Sequence, residues 1–167
     1  MDYADRDLSA VSTRNAVQQA FDQFGGDAGL HKKSGAWYGH GEEVIAVLDL
    51  QKSQYGAQYY LNQAFWLREL GDERYPKEWK CHVRERVGSL LPAHAALLER
   101  LLDLEHEIPD EERFDELVSL LREELLPLIE RGSSVVGLQA MLADGTLEGA
   151  FLRGPAQRVL GAGNSRP

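Results

Sequence analysis

The sequence predicts an α+β fold: an antiparallel sheet of three to four strands in a meander, with helices packed mainly on one face. Three observations carry this. Val44, Ile45, Ala46, Val47 and Leu48 form an unbroken apolar run, as in a strand covered on both faces. From Ala57 to Leu67 the residues alternate, with Tyr59, Leu61, Phe65 and Leu67 on one face and Gln58, Tyr60, Asn62 and Trp66 on the other. After Pro92, strand signals give way to leucines at helical spacing.

Taken in order, the chain opens with a helix capped by Asp7 or Ser9. Its stripe is Ala10, Val11, Ala16, Val17, Ala20, Phe21 and Phe24, and Gly25-Gly26 closes it. A short edge strand follows from about Leu30 to Tyr38, then a glycine turn over Gly39 to Gly41. Glu43 to Gln51 is the clearest strand, and Ser53 to Gly56 turns it into the aromatic strand ending at Leu67. The first face of that strand is expected toward the helices, the second half wet. Gly71 to Pro76 breaks the pattern. Trp79 to Val87 resumes it as a fourth strand, with Trp79, Cys81, Val83, Glu85 and Val87 on one face. Lys80, His82, Arg84 and Arg86 make a basic ladder on the other.

Helices fill the rest. Ala93 to Leu104 carries leucines at 97, 98, 101 and 102. Pro109 opens a second helix through Glu124 or a little beyond, striped by Phe114, Leu117, Val118, Leu121, Leu125 and Leu128, which Pro127 kinks or ends. Ser133-Ser134 caps a shorter helix through Leu142, and Asp144-Gly145 turns the chain. A last helical segment within Thr146 to Leu160 is interrupted at Gly154-Pro155.

The 167 residues, 43% hydrophobic and 27% charged, suit a single globular domain over 1–160 with a flexible tail at 161–167. A net charge of -9 counts against general nucleic-acid binding and favours a basic partner. One cysteine, Cys81, leaves no internal disulfide framework and fits a reducing compartment. The opening MDYADRDLSA carries acids and no apolar run, so no secretory signal is expected, and no stretch has the length of a membrane span. These features read as a soluble, cytoplasmic protein.

Three segments occur in an order that resembles a known family: GLHKKSGAWYGHGEEVIAVLDLQKSQYGAQYYLNQAFWL, then CHVRERVG, then a helix ending ELLPLIERGSS. The resemblance is to the domain of unknown function 4304 family, an uncharacterised bacterial family, and spans roughly Val17 to Leu142. LQKS-x-Y-G with the aromatic-and-asparagine strand is its most specific part. Gln63-Ala64 departs from the glycine-containing pair expected there. The resemblance implies an α+β fold, and the family name carries no activity with it.

Several constellations invite a chemical reading. His82, Arg84 and Arg86 can form an anion site with Lys52 and Tyr60, because arginine matches phosphate and carboxylate with paired hydrogen bonds. The plainer reading is a solvated face paired with surplus acids. Gln51, Lys52, Ser53 and Gln54 close the buried strand with consecutive polar side chains, close to Tyr55, Tyr60 and Asn62. That cluster suits recognition, and equally a turn. Cys81-His82 is no dyad if both lie on one strand, and Cys81 reads as a small core residue. GGDAGLHKKS fails as a phosphate loop, since it follows a helix and its lysine-serine ending is broken. The histidines at 31, 40, 82, 94 and 106 lack ligand spacing, so no metal and no cofactor is expected.

Two functions follow. The first is a non-catalytic protein-interaction module, immunity- or antitoxin-like in its sharpest form. Its surface would be the acids from Asp103 to Glu130, which suit a basic partner, with Trp66, Tyr60 and Trp37 as aromatic anchors where they lie near it. The second is a small-anion or nucleotide-binding domain, with enzymatic activity left open, using Lys52, Tyr60, Asn62, His82 and Arg84. An edge strand near Leu30 also allows a homodimer.

Overall fold

The computed structural model describes residues 14–161. The expected caps Asp7 and Ser9, and the tail beyond Gly161, lie outside the described residues. Helix α1 (Ala16–Asp27) is opened by Asn15, whose side chain accepts from the Gln18 N–H at 2.9 Å while Gln18 Oε1 accepts from the Asn15 N–H at 3.1 Å. That reciprocal box satisfies donors with no helical partner. Gly25 and Gly26 lie inside the helix and do not close it. Gly29, at φ +72°, is the left-handed residue just beyond its end. Gly25 is required for another reason: a Cβ there would stand 2.3 Å from Trp37 Cδ1.

The sheet has six strands, not the three to four expected. They are β1 (His31–Lys33), β2 (Ala36–His40), β3 (Val44–Lys52), β4 (Tyr59–Leu67), β5 (Val83–Arg86) and β6 (Phe151–Leu152), antiparallel and in chain order across the sheet. The predicted edge strand near Leu30 is a hairpin of two strands. Ser34 and Gly35 both take positive φ, 52° and 81°, the geometry that lets a two-residue turn match strand twist. Strands β1 and β6 are too short, at three and two residues, to show a period in sequence.

The central pair is as read. Strand β3 runs against β4 from Val44↔Leu67 to Lys52↔Tyr59. The predicted fourth strand is shorter than Trp79 to Val87. Glu78–Lys80 form a 3-10 turn, Val83–Arg86 alone pair with β4, and Val87 opens helix α2 (Val87–Leu90). The ladder therefore shrinks to Arg84 and Arg86, because only those residues alternate on an extended backbone.

The remaining helices are α3 (Ala95–Leu102), α4 (Asp110–Leu120), α5 (Leu126–Arg131), α6 (Val135–Ala143) and α7 (Gly154–Leu160). Pro127 does not end the second long helix. A π-helical turn at Leu121–Leu125 joins α4 to α5, with the Leu126 N–H bonded to the Leu121 carbonyl. The wider turn accommodates a residue that has no N–H and crowds the carbonyl four residues back. Ser134 caps α6 by accepting from the Gly137 N–H at 3.0 Å.

Two cores result. Val44, Ala46, Leu48, Leu61, Phe65 and Leu67 face the main core, which also takes the buried apolar side chains of all seven helices. The opposite sheet face builds a smaller core from Ala36, Tyr38, Ile45, Val47, Ala64, Trp66 and Cys81. It is roofed by residues 68–82, a strap joining neighbouring strands β4 and β5. Tyr38 Oη donates to the Pro76 carbonyl at 3.1 Å and Trp66 Nε1 to the Gly71 carbonyl at 3.2 Å, tying the strap down. The second face, expected half wet, is thus covered over much of its length and open toward the β4–β6 end.

Candidate functional site

The open end of that face is a cleft of about 400 Å³, lined by Gln51, Asn62, Glu78, Arg84, Glu85, Arg86, Gly149 and Phe151. Register explains the convergence. Asp49 pairs with Asn62, Gln51 with Tyr60, and Asn62 with Arg86, so alternation sends all of these side chains to one face. Asn62 is buried and uses its Nδ2 to bond Asp49 Oδ2 and Gln51 Oε1, each at 3.2 Å.

Charges in the cleft are mixed. Arg84 makes a fork with Glu78, Nε to Oε1 at 3.0 Å and Nη2 to Oε2 at 3.4 Å. Arg86 is in no ion pair among the described residues, and its guanidinium lies 4.6 Å from the Tyr60 ring centroid. Burial raises the Asp49 carboxyl above its ordinary value, against the hydrogen bond from Asn62 that lowers it; Glu78 adds repulsion.

Two exposed aromatic rings, Tyr60 and Phe151, rim the same end, and a third, Trp79, is exposed on the strap next to Glu78. Tyr60 is 36% exposed, Trp79 58% and Phe151 52%. Each has a cation beside it: Arg86 on Tyr60, Lys80 5.2 Å from Trp79, and Arg84 5.9 Å from Phe151.

A family model described as "Domain of unknown function (DUF4304)" matches residues 26–131. The chain belongs to this family. No curated protein and no solved structure matches the chain. The strands from β1 to β5 of this DUF4304 domain lie inside the matched stretch, whereas Gly149 and Phe151, which wall the cleft, come from beyond it.

The other sequence-predicted residues of the DUF4304 domain lie elsewhere. Lys52 pairs with Tyr59 and so shares the face of Leu48 and Leu50, opposite the cleft. Ser53 accepts from the Tyr55 N–H at 3.1 Å within the turn, and Tyr55 is almost wholly exposed at its tip. Trp66 and His82 are buried under the strap with ring centroids 4.3 Å apart. His82 Nδ1 accepts from the Leu67 N–H at 2.9 Å, and burial, with the Arg153 charge, lowers its pKa. Cys81 is fully buried, donates to the Lys77 carbonyl at 3.4 Å, and burial pushes its thiol up to about 12. It stays protonated at neutral pH and is no nucleophile.

Sequence reasoning missed Asp49, Glu78 and Phe151. Asp49 was within reach, since it stands two residues before Gln51 on a strand. Glu78 and Phe151 reach the cleft through the strap and through a strand of two residues, which leave no periodic signal. Among the described residues no group of three or more histidine, cysteine or acidic side chains could hold a metal ion, and no helix is long and apolar enough to cross a membrane.

Proposed function

We propose that this domain is a protein-interaction module whose docking surface is the open end of the second sheet face. The observation that carries the reading is the pair of exposed rings at the cleft, Tyr60 and Phe151, each with an arginine of the cleft beside it. Large aromatic side chains and arginine dominate binding energy where proteins meet, because they bury much area and lose little conformational freedom. One of the two arginines is already neutralised by Glu78, so the cleft suits a polar, hydrogen-bonding surface better than a bare anion. The acids of α4, Asp110, Glu111, Glu112, Asp115 and Glu116, offer a second surface suited to a basic partner.

The test is affinity capture from a lysate of the source organism. It compares the wild type with Tyr60→Ala plus Arg86→Ala, with Lys52→Ala as the control on the opposite face. A stoichiometric partner lost in the double variant and kept by the control supports the reading. A partner retained by the double variant but lost on reversing the acids of α4 moves the interface to that helix and sinks the cleft assignment.

A further inference from the structure

At the other end of the second face the strap lays Tyr75 across the β1–β2 hairpin. Its ring centroid stands 5.3 Å from that of His31, 5.2 Å from Tyr38 and 5.1 Å from His40. Lys33 Nζ lies 4.2 Å from the centroid and the Arg74 guanidinium carbon 5.8 Å. Two permanent cations and two imidazoles thus gather around one ring, on a chain whose net charge is -9. Neither Lys33 nor Arg74 is in an ion pair among the described residues. Of the nearby acids, Asp22 holds Lys32 and Arg14, and Glu73 reaches Lys80. Asp72 and Glu73 line the depression that His40, Arg68 and Arg74 share.

We propose that this cluster binds an oxyanion of the phosphate or sulfate class, with Lys33, Arg74 and His31 as its donors. Like charges held together repel, and an anion placed among them removes that repulsion while using donors that have no carboxylate partner. The backbone that carries the cluster is also held in place before any ligand arrives. His40 Nε2 is 2.7 Å from the Arg74 carbonyl oxygen and Tyr38 Oη bonds the next turn of the strap, so the hairpin and the strap move as one piece. Preorganisation of this kind lowers the ordering cost of binding. Arginine supplies a planar fork and lysine a point charge, the combination suited to a tetrahedral oxyanion.

The experiment is a heteronuclear NMR titration of the full chain with inorganic phosphate, sulfate and a nucleoside monophosphate, each at constant ionic strength against chloride. Saturable shifts at His31, Lys33, Arg74 and Tyr75 are expected. Lys33→Gln plus Arg74→Gln should weaken binding by about tenfold or more while the melting temperature holds. Arg84→Gln plus Arg86→Gln should leave the binding unchanged. Saturation by phosphate alone identifies the free ion as sufficient, and tighter binding of the nucleotide identifies a phosphorylated small molecule. Shifts that follow chloride equally, or that map to Arg84 and Arg86, overturn the assignment. Because this site is remote from Tyr60 and Phe151, its failure leaves the docking surface untouched, and the reverse holds.

Discussion

Arg113 is a residue whose surroundings contradict its neighbourhood in sequence. It sits in the acid-rich start of α4, yet it is 1% exposed. Its Nη1 donates to the carbonyls of Leu101 and Asp103, and Nη2 to that of His106 at 2.7 Å. The guanidinium therefore caps the end of α3, where helix carbonyls lack partners and the dipole favours a cation. Arg113→Met should cost about 3 kcal/mol, since it strands several buried acceptors, and urea unfolding would measure it. A loss below about 0.5 kcal/mol would mean water replaces the guanidinium without penalty. A sequence signal did exist: Arg113 lies four residues before Leu117, on the apolar stripe. The acids around it hid that position.

His82 gives the domain a pH dependence of definite sign. Its folded pKa lies below the ordinary value of 6.5, because burial and Arg153 disfavour the charged ring. The unfolded chain then binds a proton that the folded chain resists. The full contribution of neutral His82 is present above the unfolded pKa and is lost as pH falls through 6.5 toward the folded value. Protonation would also set an N–H against the Leu67 N–H that Nδ1 now accepts. Urea midpoints at pH 7.5 and 5.0 should differ more for the wild type than for His82→Gln, whose amide oxygen can accept that N–H at both pH values. Equal differences would remove His82 as a source of the pH dependence.

Among the elements, α1 shows packing overruling propensity. Gly25 weakens a helix interior by about 1 kcal/mol relative to alanine. It persists because the Trp37 indole lies against the backbone, so Gly25→Ala should destabilise the protein by about 1–3 kcal/mol by thermal melting, despite the better helix former. A stabilised variant would show that Trp37 has room to move. By contrast Ser134→Ala removes a simple cap and should cost about 1 kcal/mol.

The elements also show where sequence stops being informative. Strand β3 was legible because both faces are buried, and Asn62 was placed correctly because β4 alternates over nine residues. The strap was not legible. Its end, from Trp79 onward, imitates strand alternation, yet the 3-10 turn Glu78–Lys80 occupies its first two positions, Cys81 turns into the second core and His82 packs on Trp66. Half of the candidate surface could be anticipated, through Gln51, Tyr60, Asn62, Arg84 and Arg86. The rest depended on tertiary contacts made by Glu78 and Phe151, which no local pattern encodes.

For the molecule as a whole, stability should grade outward from β3. Val44 to Leu48 belong alternately to the two cores, whereas β1 is exposed throughout and β6 spans two residues. Amide hydrogen exchange should therefore be slowest in β3 and the paired part of β4, approaching the global unfolding rate, and fastest in β1 and β6. Uniform protection across all strands would show that the sheet opens only as a unit.

The strap has a further consequence for the life of the protein in a cell. A second interior that rests on one connecting segment can be lost in one event, by a proteolytic nick or a short deletion between Gly71 and Cys81. The helical side, which shares no side chain with that interior, would remain folded. Tyr38, Ile45, Val47 and Trp66 would then stand as an apolar ribbon on an otherwise intact sheet. Such a species keeps its shape and gains adhesiveness, so damage here would surface as clumping rather than as loss of structure.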